Sequence, residues 1–268
     1  MLIILIIFVV IFLVITNKKS TFLQKTQKIA IIALMYRPKN VETWLEIHRK
    51  LGINHFYIRL EDTPELVEYL GSQPDVTLMV ASSNRDSNQY ATLQTRQIET
   101  VDKVIDLCRQ KGIEWLIHID CDEILEGDLN EIYNLPKNVG TFWMQNREAV
   151  YEGIPSKDSN CFTAKFYRDC GKSNSGCASY VNGKAGGRIS KSLKCNGPHR
   201  FKDNLKEVKI NMIVKHYESC DFEQYIKKYT RLKKGVKIND IPFPYYRESI
   251  VADGNTDKLK EIYIKYRT

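Results

Sequence analysis

The stretch Trp115-Leu116-Ile117-His118-Ile119-Asp120-Cys121-Asp122-Glu123 decides how this chain reads. A short run that is apolar but for His118 ends abruptly in three carboxylates. Apolar runs of that length read as buried strands. Carboxylates at such an end fall where open α/β sheets bind ligands, outside the carboxyl ends of their strands. Asp120 and Asp122 stand two apart, so the turn that closes the strand can aim both at one hard cation. Two carboxylates completed by substrate phosphates suit Mg²⁺ or Mn²⁺. Asp-x-Asp is a common pattern, and a solvated loop after a core strand is the plain alternative.

Working upstream, the pattern repeats. Ile29 to Tyr36 is an apolar run broken by Arg37-Pro38-Lys39-Asn40. A helix follows from Val41, with Trp44, Leu45, Ile47 and Leu51 on its apolar side and Gly52 as its stop. Asn54 to Leu60 reads as a second strand ending in Glu61-Asp62, and Thr63-Pro64 opens another helix. Val76 to Val80 is a third strand. The long helix from Gln89 to Gln110 carries Ile98, Val101, Ile105 and Cys108 as its stripe. Strands alternating with helices predict a parallel α/β sheet with right-handed crossovers.

Downstream the signal weakens. Gly140 to Met144, Cys161 to Tyr167 and Val208 to Val214 read as strands. Phe222, Tyr225, Ile226 and Tyr229 mark a helix that Ser219 or Asp221 can cap, and a last helix starts near Thr256. Residues 169–199 are rich in Gly, Ser, Lys and Asn and read as a long, lid-like loop.

The net charge of +8 suits anionic partners. No finger, helix-turn-helix or RNA-recognition signature is present, so nucleic acid is not an expected partner. Leu2 to Ile15 are apolar throughout and Asn17-Lys18-Lys19 follow. Residues 1–16 therefore read as an uncleaved hydrophobic anchor, a single-pass membrane helix, residues 17–28 as a stalk and residues 29–268 as one catalytic domain. Lys18, Lys19, Lys25 and Lys28 after the apolar run favour a cytosolic domain by the positive-inside rule, with a lumenal one as the alternative. Among seven cysteines, Cys161, Cys170, Cys177 and Cys195 crowd one stretch; they would be disulfides in a lumenal protein and thiols in a cytosolic one. No pair has Cys-x-x-Cys spacing, which argues against zinc.

These elements, in this order, resemble glycosyltransferases of the GT-A fold, specifically the family 2-like and family 92 group. The resemblance runs over most of residues 29–235. It rests on Asn40-Val-Glu-Thr-Trp44 with His48, Leu51-Gly-Ile-Asn-His-Phe-Tyr57, Gln89-Tyr90, the Trp115–Glu123 stretch, Lys184…Arg188, Gly197-Pro-His-Arg-Phe201, and His216-Tyr217-Glu-Ser219-Cys-Asp-Phe222 with Lys227-Lys228. Two departures are Glu61-Asp62, where the family has Asp-Asn-like residues, and the Gly- and Cys-rich centre.

The resemblance implies a Rossmann-like, nucleotide-sugar-binding sheet with an irregular acceptor-side second half. It implies transfer of a hexose from a nucleotide sugar, UDP-linked, to a glycan or glycoprotein, with inversion. Asp122 would be the direct metal ligand and Asp120 would touch metal or ribose. His199 is the first choice for a third ligand and His216 the alternative. Imidazole suits Mn²⁺ better than Mg²⁺. Arg37, Asp62, Asp120, Lys184 and Arg188 would contact the donor, Lys184 and Arg188 as a phosphate clamp. The inverting base stays open among Asp203, Glu218 and Asp221, with Glu148 behind them. The resemblance also allows a lumenal, Golgi-like domain. The rival class is an inactive nucleotide- or carbohydrate-binding module on the same fold. A nucleotidyltransferase or phosphohydrolase would want a Gly-rich loop after strand one, which Arg37-Pro-Lys-Asn40 does not supply.

Overall fold

A computed structural model describes residues 28–83, 89–171, 177–232, 238, 243–252 and 254–268. The readings of residues 1–27 as anchor and stalk lie outside the described residues. Among those described, no helix is long and apolar enough to cross a membrane.

The apolar runs become strands β1 (Ile29–Tyr36), β2 (His55–Glu61), β3 (Val76–Ala81) and β4 (Trp115–His118). They pair in parallel in the order β3-β2-β1-β4. Helices α1 (Val41–Leu51), α2 (Val67–Gly71) and α3 (Gln89–Lys111) are the crossovers. Gly52 ends α1 in the left-handed region, as its position predicts. The strands alternate between two cores. Ile29, Ile31, Ala33 and Met35 join one with Trp44 and Trp115; Ala30 and Ile32 join another with Val101, Val104 and Ile105 of α3. Burial on both faces explains why these strands read as continuous apolar runs.

Beyond β4 the sheet turns mixed. β5 (Glu123–Glu126) follows the carboxylate turn at once. A four-residue helix, α4 (Asn130–Tyr133), leads to β6 (Val139–Val150), longer than its sequence signal. β7 (Phe166–Asp169), β8 (Lys184–Arg188), a small hairpin of β9 (Lys194–Cys195) and β10 (Phe201–Lys202), and β11 (Lys206–His216) complete the strands. β8 runs antiparallel between β4 and β6, β11 lies parallel to β6, and β5 pairs antiparallel with β11. The mixed α/β fold, Rossmann-like in its first half, is as expected. Helices α5 (Phe222–Leu232), α6 (Pro244–Val251) and α7 (Thr256–Arg267) pack together through buried Tyr225, Tyr229, Tyr245 and Tyr263.

Two expectations are corrected. Cys161–Thr163 is a 3-10 turn, and β7 begins only at Phe166. The stretch read as a lid-like loop contains β8, a central strand. Its glycines answer to packing rather than to mobility: a Cβ on Gly186 would lie 2.4 Å from the Phe142 ring, and one on Gly187 2.5 Å from Leu193. Composition alone cannot separate a glycine needed for close approach from one that loosens a loop.

Candidate active site

The three carboxylates stand at the carboxyl end of the parallel half, and α1 holds them there. Trp44 Nε1 donates to the Glu123 carbonyl at 2.8 Å. One turn on, His48 Nδ1 meets the Trp44 carbonyl at 2.8 Å and its Nε2 accepts the Leu125 N–H at 3.1 Å. This pair at i and i+4 clamps β5 directly behind the turn. With both ring nitrogens engaged and the ring buried, His48 stays neutral: burial pushes its pKa down to about 4.

Asp120 is tied on three sides. Lys184 Nζ contacts one carboxylate oxygen at 2.5 Å and Gln97 Nε2 donates to the other at 3.0 Å. Its backbone N–H donates to Glu123 at 2.7 Å. Burial works against its charge, but the Lys184 ammonium outweighs that and holds Asp120 below the usual carboxylate range. Glu123 is fully buried, accepts the Tyr180 hydroxyl and lies 3.4 Å from Lys184. Burial is the main reason its pKa rises to about 7, opposed by Lys184. Lys184 is therefore spent on the acidic turn and is not a free phosphate clamp.

Asp122 is about a third exposed and turns toward β11. Its carboxylate lies 3.7 Å from His216 Nε2, which is 3.8 Å from Glu218. One ligand atom from each of Asp122, His216 and Glu218 falls within 4.8 Å of the others, so the three can hold one cation. The far side of the imidazole is organised as well. The Ser179 hydroxyl donates to Glu148, so its oxygen accepts from His216 Nδ1 at 3.1 Å. That leaves the Nε2 lone pair facing the two carboxylates, the tautomer a metal ligand needs. Two carboxylates and one imidazole fit Mn²⁺ well. Glu148, Cys170 and Cys177 form a second close group, but those cysteines are disulfide-bonded.

His199 Nδ1 donates to the Gly183 carbonyl at 2.8 Å, and its ring packs 4.7 Å from Tyr180, whose other neighbour is the His216 ring at 4.9 Å. Burial and Lys184 push its pKa down to about 4. It lies beside the site but outside the tight group around Asp122, where His216 and Glu218 stand.

Arg37 is exposed at the end of β1, its backbone N–H held by Thr63 at 2.9 Å. Asp62 ends β2 and accepts hydrogen bonds from Ser83, while Glu61 is buried against Arg59 and Arg96. Four non-glycine residues among those described have positive φ: Arg37, Asn40, Asp62 and Ser219. All follow β1, β2 or β11 and ring the same rim, and local backbone strain gathers at functional sites.

Several sequence candidates fall elsewhere. Arg188 pairs with Trp115 at the opposite end of β4 from Asp120, stacks on that indole at 4.3 Å and binds Glu114 at 2.7 Å. Asp203 accepts from Ser190 at 2.6 Å and Ser192 at 3.1 Å, packed near Gly140 at that same far edge. Asp221 is the N-cap of α5, accepting the Glu223 N–H at 2.7 Å, and ion-pairs with Lys39. Glu218 receives Lys228 on both oxygens at 2.7 Å, and that cation with His216 overrides burial and brings its pKa down to about 2. Glu148 takes the Ala178 N–H at 2.6 Å and lies 3.0 Å from the buried Arg267. None of the four carboxylates weighed as bases is uncommitted. Tyr180, Ser179, Lys228 and Arg267 are supporting residues that carried no sequence signal; only the Lys227-Lys228 pair stood out, and then as a solvated face.

No family model matches the chain. Two glycosyltransferase-like proteins of Arabidopsis thaliana are similar to it. One is 22% identical, covering 65% of this chain and 43% of the relative. The other is 23% identical, covering 72% and 55%. The chain thus spans about half the length of the curated relatives it matches. Among solved structures, HddC from Yersinia pseudotuberculosis complexed with GMP-PN aligns at 12% identity with a TM-score of 0.39, over 71% of this chain and 94% of that one. Rv0371c from Mycobacterium tuberculosis H37Rv aligns at 12% identity with a TM-score of 0.31, over 48% and 70%. Likeness at this level says nothing of ligand or reaction. The relatives' names, with the carboxylate edge, support a glycosyltransferase-type function.

Proposed function

We propose that this chain is a metal-dependent glycosyltransferase of the GT-A, family 92-like kind that moves a hexose from a UDP-sugar to a glycan or glycoprotein. The convergence of Asp122, His216 and Glu218 beside Asp120 carries the reading. Asp122, His216 and Glu218 would hold Mn²⁺ or Mg²⁺, which when bound neutralises charge on the departing diphosphate. The second shell does the rest. Glu148 and Ser179 keep the His216 ring in one tautomer, and Lys228 keeps Glu218 ionised. Lys184 and Gln97 fix Asp120 at the rim to accept ribose hydroxyls, with Asp62 beside it and Arg37 positioned to meet the diphosphate.

The decisive experiment is a thermal-shift screen of UDP-sugars with and without Mn²⁺, followed by transfer assays. A Mn²⁺-dependent stabilisation that disappears in Asp122→Ala is expected, because bound donor shifts the native state by mass action. Stabilisation that persists in that variant sinks the metal assignment. One observation favours the second reading, a binding module: Glu148, Glu218, Asp203 and Asp221 are all engaged elsewhere. A protein that binds the donor but releases no UDP with any acceptor would establish it.

The cysteines bear on location. Cys161–Cys220 and Cys170–Cys177 are bonded, which suits an oxidising lumen. We place the domain there, behind the apolar segment Leu2–Ile15 as its anchor, against the charge bias of the lysines. Protease protection in sealed microsomes tests it; digestion of the domain without detergent would reverse the topology.

A further inference from the structure

The sheet continues past the acidic turn as an open face. Trp143 of β6 lies opposite Ala185 of β8, which lies opposite His118 of β4. Residues opposite each other across antiparallel strands share a face, so Trp143 sits two strands, about 10 Å, from His118. It is half-buried, with Arg200 5.0 Å and Lys209 4.8 Å from its ring centre. Arg200 spends Nη1 on the carbonyls of Asn182 and His199 and makes no other hydrogen bond among the described residues. Its Nε–Nη2 edge is the one that grips a carboxylate or sulfate with two parallel bonds. Lys209 is exposed and has no ion-pair partner among the described residues, although Glu207 stands two residues away. The hairpin beside Arg200 places Lys194 directly opposite Lys202, both exposed. Like charges in that position repel and favour an anion between or above them. A continuous wall joins this patch to the acidic turn: Arg200 touches the backbone of His199, whose ring packs on Tyr180, whose hydroxyl binds Glu123.

We propose that this face is the acceptor platform and that its occupant is an acidic oligosaccharide, with a sugar ring laid on Trp143 and its carboxylate or sulfate held by Arg200 and Lys209. The proposal rests on the transferase reading for the word acceptor, but glycan binding here stands on its own. Indole offers an apolar face to the C–H side of a pyranose, and the two cations select the charged ring over the neutral one. The +8 net charge adds long-range attraction in the same sense. A membrane surface or a nucleic acid would meet the same charge but has no sugar face to match to a single tryptophan flanked by cations.

The test is calorimetric titration of the full chain with hexasaccharides of hyaluronan, polygalacturonate and chondroitin sulfate, with chitohexaose as the neutral control. At least one acidic hexasaccharide should bind about tenfold more tightly than chitohexaose, with affinity falling as salt rises. Lys209→Gln, an exposed change, should weaken that binding by about tenfold, as loss of one charge-assisted contact implies. The same variant should keep the wild-type thermal shift with Mn²⁺ and UDP. Equal binding of acidic and neutral glycans, an unaffected Lys209→Gln, or equally tight binding of single-stranded DNA or phosphatidylserine vesicles would each overturn the proposal. Loss of the Mn²⁺–UDP shift in the wild type, with acidic-glycan binding intact, would sink the transferase reading alone.

Discussion

The two halves of the sheet are built on different terms. In the parallel half, β3-β2-β1-β4, each strand is buried on both faces and each helix follows its strand, so local pattern and final place agree. In the mixed half, β8-β6-β11-β5, the strands come together from distant parts of the chain and carry polar side chains into the interior. Glu148, Lys184, His216 and Glu218 are all buried there. The first half supplies a rim; the second supplies the partners that give the rim its chemistry. The difference teaches that architecture follows from short-range patterning, while a polar site follows from long-range ties.

The largest effect that can break this comparison is chemical. Asp122→Ala should lower Mn²⁺-dependent transfer by about a thousandfold, the scale of losing a metal ligand or its charge, while the melting temperature stays near wild type because the side chain is partly exposed. Next come the ties of the second half. The Cys161–Cys220 bond spans 59 residues, so Cys161→Ser should cost about 4 kcal/mol by the chain-entropy relation, read by urea unfolding. Arg267→Met strands the buried Glu148 and should cost about 3 kcal/mol, with loss of metal affinity through the Ser179–His216 contact.

The first half has its own test in acid. His48 titrates at about 4 when folded and near 6.5 when unfolded. The folded state binds fewer protons between those values, so the stability it contributes is full above about pH 6.5 and lost as pH falls through 4, a span of about 3 kcal/mol. His48→Gln should flatten that part of the stability–pH curve; an unchanged slope would show that the clamp on β5 does not titrate. The smallest effect is expected from Arg188→Ala. It should leave donor binding within about twofold and lower stability by about 1 kcal/mol, through Glu114 and Trp115. A large loss of donor binding would return Arg188 to the site.

Much of the first half was legible because its information is local. Strand limits at Ile29–Tyr36 and Val76–Ala81, the stop at Gly52 and the acidic close of β4 are readable from neighbours along the chain. His216 was legible only as an alternative to His199, since nothing near either residue shows which one β11 brings beside Asp122. The glycines of β8 misled because the residues that demand them, Phe142 and Leu193, lie elsewhere in sequence. Arg188 and Asp203 misled in another way: residue type suggested chemistry, and strand direction sent both to the far edge.

The sequence by itself determined the α/β class, the order of the first four strands and the carboxylate turn, because periodicity and turn chemistry act over a few residues. Only the tertiary structure decided that Lys184 belongs to Asp120, that Lys228 neutralises Glu218, and that Asp122 meets His216. The physical reason is that charges leave water only where a partner waits, and the partner is chosen by strand pairing across the whole chain.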